Sequence, residues 1–172
     1  MTSNSRTAPA YILCKTRYIY PMIRPYIKDD KEKVLDLLRL NTPRYFHAAE
    51  EPDLLAYLDT SADHYFVVEK AGEIIGSGGF NLFPEQKTAR ISWDIIHPAH
   101  HGQGIGKQLT LYRLNEIRNN YEVGLITVRT TQLAYRFYEK LGFGLARTEK
   151  DFWAKGFDLY QMHLPLTATT PG

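Results

Sequence analysis

A chain of 172 residues corresponds to about one domain and buries about two-thirds of its unfolded surface without needing a disulfide or metal staple. With 44% hydrophobic, 13% aromatic and 23% charged residues it is not disordered, collagen-like or a coiled coil, and no apolar run approaches the ~18 residues of a membrane span. The net charge of +2 comes from residues 1–21, where Arg6, Lys15 and Arg17 face no acid; the other 18 basic and 19 acidic side chains leave a near-neutral domain, which argues against a nucleic-acid partner.

Residues 1–21 are rich in Ser, Thr and Arg and lack the long apolar stretch and cleavage site of a secretory signal. They read as an extension outside the domain, with an organelle transit segment as the alternative. Cys14 is the single cysteine, which excludes an intramolecular disulfide and a multi-cysteine zinc site and fits a reducing compartment, the cytoplasm. The domain is expected over residues 22–166, followed by a polar tail over 167–172.

Met22 to Ile27 reads as a first strand. Asp29 is placed to cap the next helix, with Glu32 three residues on as its capping-box partner. Val34, Leu35, Leu37 and Leu38 supply that helix's apolar face, and Pro43 ends the region. A second helix is expected through Asp53 to Leu58. Strands over Tyr65 to Lys70, Glu73 to Leu82 and Ala89 to His97 follow, the first two joined by an Ala71-Gly72 turn. Gly104 to Asn119 reads as a long helix with Leu109, Leu111, Leu114 and Ile117 on its apolar side. Val123 to Val128 is another strand. Gln132 to Leu141 reads as a helix with Leu133, Ala134, Phe137, Tyr138 and Leu141 on one side and Gly142 just past its end. Two late strands, Phe143 to Lys150 and Phe157 to Leu164, complete one α/β domain without repeat or internal linker.

The strongest local signal is the stretch from Ile95 to Lys107, in which a strand ends at Pro98, three glycines alternate at 102, 104 and 106, and a helix begins. Glycine admits positive φ and close approach of another molecule. Successive N–H groups at a helix start, with the positive end of the dipole, suit a phosphate or pyrophosphate. A Walker A loop does not fit, because His101 stands where its first glycine belongs and Gln108 where it needs Ser or Thr. A dinucleotide fingerprint does not fit either, since the spacing of its third glycine is not met.

The loop resembles motif A of the GNAT superfamily of N-acetyltransferases, in which a strand ending in V-x-P is followed by R/Q-x-x-G-x-G/A. Ile96-His97-Pro98 matches the strand end, and Gly104 and Gly106 the two glycines. Thr131-Gln132-Leu133-Ala134-Tyr135-Arg136-Phe137-Tyr138-Glu139-Lys140-Leu141-Gly142-Phe143 resembles motif B, N-x-x-A-x-x-F-Y-x-x-x-G-F, in the family's order and spacing. The sequence departs from the pattern at His101, where Arg or Gln is usual, and at Thr131, where Asn is usual.

The resemblance implies an α/β fold of the α+β type: one domain with a mixed, mostly antiparallel sheet of about six to seven strands flanked by about four helices. It implies acetyl-CoA as cosubstrate, lying between strand Ser92 to His97 and strand Leu125 to Val128, and transfer of acetyl directly to a primary amine. The binding residues it marks are Ile95, Ile96, His97, His101, Gly102, Gln103, Gly104, Ile105, Gly106, Lys107, Gln108, Thr131, Ala134 and Tyr138. The pyrophosphate would sit on the glycine loop, and backbone groups near Ile96 would meet the pantetheine arm. A non-catalytic CoA-binding module and an interaction domain are the competing readings.

Acyl transfer from a thioester needs an amine that loses its proton, a stabilised oxyanion and a protonated leaving thiolate. Tyr138 occupies the position where many family members place the acid for the thiolate, and a phenol of pKa about 10 is protonated at neutral pH. Asp94, an acid in an otherwise apolar strand, is the candidate base. Strand alternation places it on the same side as Ser92 and Ile96; Glu73 and Glu85 are exposed alternatives. The six histidines show no metal-ligand spacing, so no metal is expected. Trp153 lies in a late loop that could border the acceptor, a small-molecule or peptide amine. The segment holding Tyr45, Phe46, His47, Glu50, Glu51 and Asp53 should meet it. No membrane contact is expected, and a homodimer is compatible with this reading.

Overall fold

The computed structural model describes residues 20–166. The expectations for Cys14 and the rest of the amino-terminal extension, and for the tail, lie outside the described residues. Seven strands form one sheet: β1 Met22–Pro25, β2 Tyr65–Lys70, β3 Glu73–Phe83, β4 Thr88–Ile96, β5 Leu125–Thr130, β6 Gly144–Ala154 and β7 Phe157–Pro165. Their order is β1-β2-β3-β4-β5-β7-β6, antiparallel throughout except for the parallel β4–β5 pair. Helices α1 Lys31–Asn41 and α2 Glu51–Thr60 cover one face, α3 Ile105–Asn120 and α4 Tyr135–Glu139 the other. This is the α+β architecture expected from the sequence, a single domain with a mixed sheet.

Each face has its own core. Val34, Leu35, Leu37 and Leu38 of α1 meet Leu54 and Leu58 of α2, Tyr65, Val67, Ile74 and Ile95 on the first face. Ile105, Leu109, Leu114 and Ile117 of α3 meet Phe66, Phe80, Ile91, Ile126, Val128, Tyr138 and Phe143 on the second. Ala71 and Gly72 both take positive φ, 52° and 84°, as a two-residue hairpin turn between twisted strands requires.

Several local expectations need correction. Asp29 is exposed and does not cap α1; its neighbour Asp30 is buried, takes the Arg24 guanidinium at 2.7 and 2.9 Å, and accepts the Ile27 N–H. Leu111 is 40% exposed, because the buried stripe of α3 steps by four, five and three through Ile105, Leu109, Leu114 and Ile117, with Arg113 inside it. The helix expected over Gln132 to Leu141 shrinks to α4, and Leu133 is 51% exposed. The Gln132 side chain is instead tied to Gly156 O and Asp158 N at 2.6 and 2.9 Å, which holds its backbone in a turn. β5 begins later than Val123 because the Gly124 and Leu125 N–H groups both turn back to Lys87 O.

The sheet's two margins differ. β1 is four residues long and ends in Pro25, whereas β6 is exposed on both faces from Gly144 through Phe152 and carries Arg147, Glu149, Lys150 and Asp151.

The crossing of β3 under the helices is tight. A Cβ at Gly79 would stand 2.6 Å from Tyr65 Cδ2 and 2.7 Å from the His64 carbonyl oxygen, and the latter cannot swing aside. Gly79→Ala is expected to destabilise the fold by about 1–3 kcal/mol, read as a lower midpoint in urea denaturation with an unchanged slope.

Candidate active site

β4 and β5 are hydrogen-bonded from Thr88↔Leu125 to Ile91↔Val128, and there the pairing stops. Beyond that point Ser92–Ile96 turns away from β5, while Arg129 and Thr130 continue to pair with β7. The opening therefore lies beyond the expected Leu125 to Val128 segment. It leads into a cleft of about 750 Å³ lined from both faces of the sheet.

A bulge in β4 sets what faces the cleft. Gly79 pairs with Ser92 and Ser77 with Ile95, so Gly78 alone opposes Trp93 and Asp94, and Trp93 takes φ of 54°. The extra residue reverses the alternation. Ser92 faces α2, where its hydroxyl donates to Asn81 Oδ1 at 2.8 Å, and Trp93 stacks on Phe46. Asp94 and Ile96 face α3 and α4. The expectation that Asp94 shares a side with Ser92 is thus corrected. The Ile95 side chain is 1% exposed in the α1/α2 core and does not line the cleft.

The glycine loop lies at the open end of the strands. Gly102 and Gly104 take φ of 73° and 81° with open space where a Cβ would be. Gly104 caps α3, and the helix's first hydrogen bond across the boundary runs from Gln108 N–H to Gly104 O at 3.0 Å. Among the described residues, no hydrogen bond uses the N–H groups of Gly102 through Lys107. A Cβ at Gly106 would touch Phe137 and Ile96 at 3.6 and 3.7 Å, so the loop stays narrow there. Free N–H groups converging at the start of a 16-residue helix make an anion cradle, and this donor set fits a pyrophosphate.

His101 works differently from what its motif position suggests. Its Nε2 donates to Ile96 O at 2.8 Å, which places a proton on that nitrogen, and its ring meets Tyr45 edge-on at 5.3 Å. Buried Asn41 donates to the same carbonyl at 3.0 Å. The Ile96 carbonyl is therefore already occupied rather than free for a ligand arm. His97 accepts the Ala99 N–H and His100 meets Gln103, so both brace the turn. The side chains of His97, Gln103 and Gln108 lie outside the cleft lining, while Ile96, His101, Gly102, Gly104, Ile105, Gly106, Lys107, Thr131, Ala134 and Tyr138 belong to it.

Under the opening lies a polar triad in which Tyr138 and Arg113 are buried and Asp94 is half-buried. The Tyr138 hydroxyl donates to Asp94 Oδ2 in a short hydrogen bond. Arg113 Nη2 lies 2.5 Å from Asp94 Oδ1, an ion pair outside hydrogen-bond angles. Arg113 is fully buried and is held by Gly79 O, Leu109 O and Thr110 Oγ1 at 2.9, 3.1 and 3.2 Å. Gly78 makes room for it: a Cβ there would fall 2.4 Å from Asp94 Oδ1 and 2.8 Å from Arg113 Nη1. Burial first, and then the Asp94 charge, pushes the Tyr138 phenol well above its ordinary value, so it remains a neutral donor. Arg113 was not legible as a site residue; its i+4 spacing from Leu109 within the buried stripe was the available signal.

On the α1/α2 side the cleft is walled by Tyr45, Phe46, Trp93 and Trp153, with Glu50, Arg90 and Arg129 as its charged groups. Trp153 belongs to β6 rather than to a loop. Burial pushes the Glu50 carboxyl upward, opposed by the His47 N–H it accepts at 2.8 Å. Of the segment expected to meet an acceptor, His47, Glu51 and Asp53 lie outside the lining, as do Glu73 and Glu85. Among the described residues no cluster of His, Cys, Asp and Glu could hold a metal, and no helix is long and apolar enough to cross a membrane.

The model of the Acetyltransferase (GNAT) family matches residues 31–143. No curated protein matches the chain. Among solved structures, Ard1 from Thermoplasma volcanium aligns at 19% identity over 86% of this chain and 98% of its own, with a TM-score of 0.72. The ribosomal-protein-S18-alanine N-acetyltransferase from Escherichia coli aligns at 15% identity over 89% of this chain and 100% of its own, TM-score 0.71. An aminoglycoside 6'-N-acetyltransferase complexed with coenzyme A aligns at 14% identity over 87% of this chain and 99% of its own, also at 0.71.

Removing one partner of a buried ion pair strands the other. Arg113→Met is expected to cost about 3–5 kcal/mol in urea denaturation, and Arg113→Lys, which keeps the charge but loses the forked hydrogen bonds, less than that.

Proposed function

Because the chain belongs to the GNAT family of acetyltransferases, whose members take acetyl groups from acetyl-CoA, we propose that it transfers acetyl directly to the primary amine of a small molecule or peptide, with both substrates bound in one cleft. The observation that carries this reading is the run of free N–H groups from Gly102 to Lys107, set at the open end of the parted β4 and β5 strands. Acetyl-CoA supplies the activated thioester. The Gly102–Lys107 backbone, with the Lys107 ammonium beside it, holds the pyrophosphate; Ile96, Thr131, Ala134 and Phe137 wall the arm. The acceptor enters from the α1/α2 side, where the aromatic wall excludes water. The single cysteine supports a cytoplasmic setting.

Tyr138 is the donor toward the departing sulfur: its single O–H proton, held by Asp94 Oδ2 in the resting site, must turn from that oxygen to the sulfur as negative charge develops there, leaving Asp94 to its Arg113 partner. Its raised pKa makes it a hydrogen-bond donor to a thiolate more than a source of a fully transferred proton. Both Asp94 oxygens are already engaged, one by Tyr138 and one by Arg113. We therefore assign Asp94 the holding of Tyr138, in place of the base role considered from its strand position. Glu50, raised by burial on the acceptor side, is the better placed group to take the amine proton, directly or through water.

The reading is tested by acetyl-CoA-induced thermal stabilisation and by thiol release over a panel of amines. Ligand at about 100-fold over its Kd should stabilise by roughly 2.7 kcal/mol. Gly104→Val is expected to abolish that stabilisation while leaving a folded protein, since its Cβ enters open space but at a φ of 81° that Val resists. Wild-type acetyl-CoA affinity in Gly104→Val would put the anion site elsewhere.

Tyr138→Phe should lower kcat by about 10²–10⁴ with little change in acetyl-CoA binding. It leaves Asp94 Oδ2 without its donor, so a stability loss of about 1–3 kcal/mol accompanies it. A folded Tyr138→Phe protein with wild-type turnover, chemistry being rate-limiting, would remove the phenol from the mechanism.

A further inference from the structure

Among the described residues, two cations in the acceptor half of the cleft form no ion pair with any acid. Arg90 precedes Ser92 by two residues on β4, on the α1/α2 face; Arg129 lies on neighbouring β5. The Nε of each is buried and makes no hydrogen bond among the described residues. Neither guanidinium forms an ion pair there. Instead each lies over aromatic rings, Arg90 at 4.8 Å from Phe83, Arg129 at 4.8 and 5.2 Å from Phe152 and Trp153. Burial first, and then repulsion from Arg90 and Arg147, pushes the Arg129 pKa down against the weaker pull of Glu149. Unpaired, partly desolvated like charges cost stability, and both side chains line the cleft.

Resting on the acetyl-transfer reading of this same cleft, we propose that Arg90 and Arg129 bind an oxyanion of the acceptor itself, so that the acceptor is a small amino acid or aminophosphonate rather than a simple amine. A guanidinium fork matches a carboxylate or phosphonate in shape as well as charge. The strand rise sets the scale: Arg90 stands ~7 Å along β4 from Ser92, where the opening begins. That span suits an anion and an amine carried on one short molecule. Glu50, the acid of the opposite wall, complements the ammonium end, and Phe46, Trp93 and Trp153 enclose an apolar side chain between them.

Three acceptor sets separate the possibilities: the proteinogenic L-amino acids, their decarboxylated amines, and matching aminophosphonates. Wild-type protein should acetylate the best acid with kcat/KM about tenfold or more above its decarboxylated amine. Arg90→Gln and Arg129→Gln should each erase that preference, chiefly through KM. Turnover of the decarboxylated amine, and stabilisation by acetyl-CoA, should stay at wild-type values. Melting temperatures should be unchanged or higher, because an unpaired cation has been removed; a structural role would lower them. The relative rates of carboxylates and phosphonates identify which oxyanion the site takes.

Thermal shift with the same acids, without acetyl-CoA, reads the anion site apart from transfer. Stabilisation that both Gln variants lose would support it even if no amine were acetylated, a result that would sink the transferase reading alone. The proposal is overturned if the acids neither stabilise the protein nor outrun their decarboxylated amines. Equal losses on acceptors with and without the oxyanion in the variants would also overturn it.

Discussion

One extra residue in β4 governs the rest of the molecule. Because Gly78 faces both Trp93 and Asp94, the side chains beyond the bulge exchange faces, and the strand leaves β5 after Ile91. Trp93 is held at a positive φ of 54°, a conformation costing a bulky residue of the order of 1–3 kcal/mol. The strain is held in place by packing on both faces: Trp93 against Phe46 and Tyr57, Asp94 against Tyr138 and Arg113. An uninterrupted β4 would turn Asp94 toward α2 and close the sheet over the cleft.

The bulge also separates two electrostatic environments within one cavity. On the α3/α4 side, backbone N–H groups gather at the helix start, and the polar triad keeps its charges internally matched. On the α1/α2 side, positive charge lies unmatched on the floor, with a single half-buried acid on the wall. The two environments meet at the gap between the parted strands. The neutral, strongly held Tyr138 phenol stands at that gap. Arg113 lies outside the cleft lining and holds Asp94, and through it the Tyr138 phenol, from beneath.

What the sequence made legible was what the backbone does locally. The alternating glycines and the Pro98 stop mark a strand–loop–helix junction, which the fold shows between Ile96 and Ile105, and Tyr138 lines the same cleft. Arg113 was hidden because a charge within an amphipathic helix ordinarily marks its wet side; only the sheet glycine at position 78 gives it room. The bulge left no mark, since Trp93 is not a residue that advertises positive φ. Counting alternate residues from Ser92 therefore put Asp94 on the wrong face relative to it. Arg90 and Arg129 read as routine polar positions of half-exposed strands, and their lack of partners emerges only when β3, β4, β5 and β6 are brought together. His101 occupies its motif position, yet its ring turns back to the Ile96 carbonyl because Tyr45 and Asn41 close around that point.

The two margins of the sheet bear on how this molecule behaves among its own copies. Among the described residues the two outer strands have no partner on their far side, and a flat apolar margin would template open-ended strand addition. On one side the template is only four residues and terminates in a proline. On the other, β6 is long and wet on both faces, but Arg147, Glu149, Lys150 and Asp151 stud it with mixed charge. An incoming copy would have to desolvate those charges before gaining a single ladder bond. Colloidal tolerance at high concentration is thereby written into the least buried strand of the domain.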